Sequence, residues 1–357
     1  MPNSYFRTAK ITNIITVVPP TIKCIDDEID LYGGNEKQIA RIKKAIGLNK
    51  RHVVEPGTTA LDLCLAASNE LFSQSAIDKE SIDAVIFVTQ TPDHFQPCNA
   101  AILHGKLGLK TTTASFDVTL GCSGYVYGLW LAHMMVEAGG CNNVLLVAGD
   151  TLSQCTNKND RATAPLFGDA GSATLIQKST VQTQSYFSLH TDGSGFGHII
   201  QPAGAFRLPT SAETKIVTHD DDGNYRCDEN LQMNGAEVFN FSIKVEPTAI
   251  TEILEFSKKS MGEVDYFFFH QANQYIISNI ARRLKLDKDK APSDIVSKYG
   301  NQSSASIPCA ICETLSNENN KHDVVLSGFG VGLSWASAVV SLVDTKISNV
   351  KILNESE

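Results

Sequence analysis

Two stretches of the chain carry the same hydrophobic pattern. Residues 82–88 read IDAVIFV, an acidic start running into an apolar strand, and residues 264–270 read VDYFFFH, the same arrangement 182 positions later. A polar loop follows each, then a helix-like segment that closes on Leu-x-Leu, at Leu107 and Leu109 in one case and Leu284 and Leu286 in the other. Small-residue turns come next in matching register: Cys122 in TLGCSGYVYG lies 40 residues after Ile82, and Ser304 in GNQSSASIP lies 40 after Val264. Each turn opens an apolar helix, and a strand begins at Val144, 22 residues past Cys122, and at Val324, 20 past Ser304. This repeat predicts an α/β protein of two duplicated halves, residues 1–180 and 181–357, related by a pseudo-twofold. Strands alternating with helices further predict mostly parallel sheets covered on both faces.

Residues 324–343, VVLSGFGVGLSWASAVVSLV, are 20 positions without a charge, long enough to cross a bilayer as a helix. Three glycines at alternate positions, Gly328, Gly330 and Gly332, weaken that reading, and the β-branched flanks predict two buried strands instead. The start, MPNSYFRTAKITNIITVVPP, lacks the pattern of a secretory leader. Composition narrows the function classes. At 42% hydrophobic and 19% charged, the 357 residues fit a globular protein rather than a disordered one. Thirty basic against 39 acidic residues give a formal charge of −9, which disfavours nucleic acid and anionic membranes as partners. Nine cysteines, an odd number without a dense framework, predict a reducing, cytoplasmic setting.

One of those cysteines stands apart. Cys122 directly precedes an apolar helix, whose N-terminus favours a thiolate and predicts a lowered pKa and a nucleophilic sulfur. His270 follows the strand VDYFFF and precedes a helix, the end of an α/β strand where sites are built. Asn301 lies in the Gly/Ser-rich turn YGNQSSASIP. Taken singly, each has a plain structural reading: a packing thiol, a hydrogen-bonded histidine, a turn asparagine. The duplication places the loops of His270 and Asn301 where they meet Cys122 across the pseudo-twofold.

TLGCSGYVYGL, FGDAGSATL, FFFHQANQYIISNIARRL, YGNQSSASIP and GFGVGLSWASAVV, in this order over essentially the whole chain, resemble the β-ketoacyl-acyl-carrier-protein synthase III family. The resemblance implies a thiolase-like, five-layered αβαβα homodimer with a Cys-His-Asn triad, matched by Cys122, His270 and Asn301, and no metal or other cofactor. It implies that Cys122 takes an acyl group from coenzyme A or an acyl carrier protein, giving a covalent intermediate. A malonyl thioester then loses carbon dioxide and condenses with it, His270 and Asn301 holding the enolate oxygen. The backbone amides of Cys122 and Val331 are implied as the oxyanion hole, Val331 standing where the family often has glycine. Gln96, in TPDHFQPC, matches a residue that shapes acyl access, often an aromatic. Arg282 and Arg283 match a basic pair suited to docking a carrier protein.

Other matches are weaker. The coenzyme A grip of well-studied relatives is only partly present, with Arg41 and Ala45 in ARIKKAIG and Tyr275 where HQAN-x-Arg has arginine, which favours carrier-protein donors. The run THDDDGNYRCDE, with Asp220, Asp222, Gly223 and Glu229 in register, imitates a calcium loop but has Thr218 at the first-ligand position, and reads as a solvated turn. Cys309-Ala-Ile-Cys312 has redox spacing without a second pair and reads as structural. Residues 198–230 are polar and turn-rich, predicting a lid or pocket wall. Two alternatives stay open: the same Cys-His-Asn site used for ester or amide formation or a non-decarboxylating condensation, and a non-catalytic partner subunit. A hydroxymethylglutaryl-type synthase would need a glutamate that VTQTPDH lacks, and a chalcone-synthase-like enzyme would carry HPGG in place of HQAN.

Overall fold

The computed structural model describes residues 3–32, 34–220, 223–316 and 321–354. In chain order the strands that build its two large sheets are β1 (Asn3–Phe6), β2 (Ala9–Val18), β3 (Ala84–Val88), β4 (Ala114–Val118), β5 (Asn143–Asp150), β6 (Ala170–Lys178), β7 (Ser185–Thr191), β8 (Tyr266–Phe269), β9 (Asp323–Gly330), β10 (Ser334–Ser341), β11 (Lys346–Ile347) and β12 (Lys351–Ile352). The helices are α1 (Glu36–Ile46), α2 (Ala60–Gln74), α3 (Asn99–Leu107), α4 (Gly124–Glu137), α5 (Gly235–Ser257), α6 (Gln274–Leu284), α7 (Val296–Tyr299) and α8 (Ser306–Leu315). One sheet runs β11–β2–β6–β5–β3–β4, with β12 also on β2; the other runs β1–β7–β10–β9–β8.

Strand periodicity decides the layers. In β3, Val85 and Phe87 face the outer helices α2 and α3 and join Leu63, Leu71 and Leu103, while Ile86 and Val88 face inward. In β8, Phe267 and Phe269 pack outward on Ile250, Ile253, Ile277 and Ile280 of α5 and α6, while Phe268 faces inward. Between the sheets lie α4 and α8, with Val126, Leu129, Ile307 and Ile311 buried among Ile86, Leu146, Leu326 and Ala338. A helix with a sheet on each side has no solvent face, which explains why α4 is apolar nearly all round. The result is the five-layered αβαβα, thiolase-like architecture. Each fully buried Leu, Ile or Phe contributes about 1.5–3 kcal/mol by removal from water.

The uncharged run 324–343 forms β9 and β10, a hairpin closed by residues 331–333, and among the described residues no helix is long and apolar enough to cross a membrane. Two expectations need correction. The sheets are mixed rather than mostly parallel: β3 pairs parallel with β4 and β5, and β8 with β9, but β5/β6, β2/β6, β9/β10, β7/β10 and β1/β7 are antiparallel. Three residues between β9 and β10 leave no room for the crossover helix that a parallel pair requires. Nor is either half a contiguous segment. Strand β1 adds to the sheet of the second half through β7, and β11 and β12 add to that of the first half through β2.

Helix ends near the site are set locally. Asn273 of HQAN caps α6 by accepting the Ile276 N–H at 2.8 Å, and Asn234 caps α5 by accepting that of Glu237 at 3.2 Å. The calcium-like run is a small hairpin in which Thr218 pairs with Arg226 and His219 with Tyr225. The Asp220 carboxylate turns onto its own loop, accepting from the Asn224 backbone N–H and side-chain amide; Asp222 lies outside the described residues. Cys309 and Cys312 are free and buried on α8.

Candidate active site

Cys122 ends the turn after β4 and opens α4, so it stands at the junction of the first sheet and the central helices. Strand β9 of the other half presses against it. A Cβ on Gly328 would come within 2.5 Å of the Cys122 carbonyl oxygen, and one on Gly330 within 2.8 and 2.9 Å of Cys122 Cβ and Sγ. Only glycine lets the second sheet approach this closely. Gly168 and Gly300 join the halves in the same way: a Cβ on Gly300 would meet the Gly168 nitrogen at 2.8 Å. There the Asn301 N–H donates to Leu166 O at 2.8 Å and the Gly168 N–H to Asn301 O at 3.0 Å. The motifs FGDAG and YGNQ thus form one inter-half seam.

His270 leaves the end of β8 with its N–H donated to Ser327 O at 2.8 Å. Its Nδ1 lies 2.7 Å from Ser306 Oγ at the start of α8. The Asn301 side chain is oriented by its oxygen, which accepts the Ser303 N–H at 2.9 Å, while its amide nitrogen lies 3.4 Å from Ala272 O. Gln271 is buried, donating to Phe269 O at 3.0 Å and Pro292 O at 3.1 Å, and it locks the HQAN turn.

Cys122, His270, Asn301 and Val331 line one cavity of about 180 Å³. Its walls are mainly apolar, with Leu152, Phe167, Leu231, Met233 and Ile276 among them, and Ile199 to Gln201 of the polar 198–230 segment supply part of one side. Gln96 lies outside this lining. It is exposed on an adjoining cleft beside Phe95 and Phe206, whose rings meet at a 40° tilt with centroids 5.8 Å apart. Arg282 and Arg283 are also outside, at the far end of α6, roughly 13 Å along the helix from Asn273. Both are exposed; Arg282 donates to Asn279 Oδ1 and Arg283 to Ile243 O, each at 2.6 Å. Arg41 is exposed on α1, and the end of α1 at Gly47 abuts Gln274 at the start of α6. Tyr275 is 55% exposed and stacks on Phe239 at 5.3 Å.

The electrostatics reverse one expectation. Burial pushes the Cys122 thiol up to about 12, and the Asp150 charge adds to the rise. The Ser303 hydroxyl and the Val331 and Cys122 amides act the other way without overcoming it. A helix N-terminus is worth roughly one pKa unit, less than the desolvation of a thiolate between two sheets. Burial likewise drives His270 down to about 3, so the imidazole is neutral. The site at rest therefore holds a thiol and an uncharged histidine.

Several residues of the site carry no sequence signal. Ser306 orients His270. Asp150 is fully buried at the end of β5, accepting from the Gln90 N–H at 2.7 Å and from the Ser304 N–H and hydroxyl at 3.1 and 2.7 Å, and burial raises its pKa. It ties the loop after β3 to the serine turn after Asn301. Ser303 adopts a positive φ of 50° between them.

This fold, with a cysteine, a histidine and an asparagine converging on one cavity, defines the class as a thiolase-fold enzyme. Models of 3-oxoacyl-(acyl-carrier-protein) synthase III match residues 116–193 and, for its C-terminal part, residues 254–342. The chain is 40% identical over 358 aligned positions to a putative 3-oxoacyl-(acyl-carrier-protein) synthase 3 of Campylobacter jejuni, covering 99% of both. It is 34% identical to the β-ketoacyl-(acyl-carrier-protein) synthase III of Clostridium perfringens, covering 84% of this chain and 90% of that one. A crystal structure of a 3-oxoacyl-(acyl-carrier protein) synthase from Burkholderia xenovorans superposes with a TM-score of 0.90 at 32% identity, over 98% of this chain and 99% of that chain. The chain belongs to the 3-oxoacyl-(acyl-carrier-protein) synthase III family.

Proposed function

We propose that the protein is an acyltransferase in which Cys122 carries the acyl group, His270 and Asn301 stabilise the enolate, and the Cys122 and Val331 amides bind the tetrahedral oxyanion. The observation that carries this reading is the convergence of all four residues, drawn from both halves, on one cavity.

In the first half-reaction the Cys122 sulfur attacks an acyl thioester, and the thiol proton leaves with the departing thiol. Because the thiol is neutral at rest, deprotonation accompanies attack. In the second, a malonyl thioester occupies the vacated position and its carboxylate departs as carbon dioxide. The electron pair becomes an enolate, whose oxygen is held by two neutral donors. Ser306 Oγ is 3.4 Å from the Gln271 N–H and accepts from it, which frees its own proton for His270 Nδ1. His270 then carries its remaining proton on Nε2 as a donor. Asn301, with its oxygen engaged by Ser303, offers its amide N–H groups. The enolate carbon attacks the acyl-enzyme, the oxyanion collapses, and a 3-oxoacyl thioester leaves as Cys122 regains a proton. Loss of one oxyanion donor typically costs about 3 kcal/mol of transition-state stabilisation. No cofactor beyond the thioester substrates enters this reaction.

The substrates are carried by coenzyme A or an acyl carrier protein, with Arg282 and Arg283 as a docking patch for the acidic carrier. The active form is a homodimer in a cytoplasmic setting. Nine free cysteines support the reducing compartment, and the edge position of β4 supports a paired subunit. Intact-protein mass spectrometry tests the chemistry. A panel of acyl thioesters is expected to leave an acyl adduct on Cys122, absent in Cys122→Ala and discharged by malonyl carrier with release of carbon dioxide. Discharge by an amine or alcohol, and not by malonyl, would replace condensation with ester or amide formation.

A further inference from the structure

Gln90 follows β3 directly, and its backbone N–H is anchored on Asp150 at 2.7 Å. From there its side chain runs back across Gly121, so closely that a Cβ at Gly121 would overlap the carboxamide oxygen. Chain geometry then puts that oxygen within roughly 7 Å of the Cys122 Cα. The residue lines the Cys122 cavity and also the adjoining cleft, and only Cys155 shares both linings with it among the described residues. It stands on the boundary between the nucleophile and the space beyond.

A carboxamide has two donor hydrogens and two acceptor lone pairs. Among the described residues the Gln90 carboxamide has no hydrogen-bond partner, whereas the amide of Gln271, in the HQAN turn, donates twice. An unpartnered amide next to a nucleophile, in a mainly apolar cavity, is costly to cover with an alkyl chain, because its bonds to water are lost without replacement. The cleft past it is also polar, lined by Thr91, Asp93, His94, Thr151 and Gln154. A four-carbon acyl group on Cys122 reaches roughly 5 Å from the sulfur, a length that matches the separation of the Cys122 backbone from the amide for a chain directed toward Gln90.

Accepting Cys122 as the acylated nucleophile, we propose that Gln90 selects a short acyl group bearing a hydroxyl on its third or fourth carbon over the plain alkanoyl group of the same length. The hydroxyl satisfies the carboxamide, and the plain chain leaves it buried and unpaired.

The test compares rates of Cys122 acylation by 3-hydroxybutyryl, 4-hydroxybutyryl and butyryl coenzyme A, followed by intact mass. The wild type is expected to favour one of the hydroxylated donors over butyryl by roughly 10- to 100-fold, the range an unmet buried hydrogen bond commands. In Gln90→Met, and in Gln90→Thr as a smaller replacement, that ratio is expected to fall toward one, with circular dichroism unchanged. Equal or inverted preference in the wild type, or an undiminished ratio in a folded variant, overturns the proposal. Absence of a Cys122 adduct from all three donors overturns the acyl-enzyme reading itself, and this proposal with it.

Discussion

Glu246 offers a direct test of how burial governs charge in this fold. It sits on α5 with no exposed surface, its Oε2 accepting the Ser327 hydroxyl at 2.6 Å and its Oε1 without a partner. Burial pushes the carboxyl from its ordinary 4.5 up to about 8, and the Ser327 bond offsets only part of the rise. The folded protein therefore holds this proton through neutral pH, while the unfolded chain releases it above pH 4.5. Between those values the native state binds one proton more than the unfolded state, so stability falls as pH rises, by about 1.4 kcal/mol per pH unit from this group. From pH 5.5 to 7.5 the loss is about 3 kcal/mol. Glu246→Gln removes the titration while keeping the shape; its amide adds a constant cost for the unpaired position, which does not alter the slope. Urea unfolding of both proteins at pH 5.5, 6.5 and 7.5 gives the comparison. The variant is expected to lose about 3 kcal/mol less stability across that range. Identical slopes would show that Glu246 is solvated or ionised in the native state, and the reasoning from burial would fail.

Gly330→Ala introduces a methyl group within 2.9 Å of the Cys122 sulfur. It is expected to slow Cys122 acylation by at least about tenfold while costing about 1–3 kcal/mol in stability; wild-type acylation kinetics would mean that β9 shifts freely. Arg282→Glu with Arg283→Glu is expected to raise KM about tenfold for carrier-borne thioesters and to leave small thioester mimics unaffected, since both residues lie well outside the cavity. An unchanged carrier KM removes the docking assignment.

Much of this architecture was legible in the chain because its signals are periodic or repeated. The matching strands at 82–88 and 264–270 are central elements of the two sheets, β3 and β8, and the uncharged run 324–343 folds as a hairpin. Cys122, His270 and Asn301 converge because the duplication sets where their loops return. Strand direction was less legible: the antiparallel pairs depend on the short link between β9 and β10 and on how β6 returns beside β5, and apolar alternation is the same in either sense. The raised Cys122 pKa was hidden for a related reason. Helix starts can be read locally, but desolvation by Gly328 and Gly330, together with the nearby Asp150, arises only when distant segments pack. Ser306, Asp150 and Gln90 have no periodic or compositional mark. Gln96, marked by its motif, lines the adjoining cleft, while Gln90 lines both that cleft and the Cys122 cavity.

The exchange of terminal strands bears on modularity. Although the chain is built from a duplicated unit, each unit's sheet is completed by a piece from the opposite end of the polypeptide, β1 in one direction and β11 with β12 in the other. Cutting near residue 180 would separate each sheet from a strand it needs, beyond dividing the catalytic residues. The repeat therefore records a shared origin more than present independence. Shuffling one half against that of a relative would have to carry both chain ends along with the sheets they close.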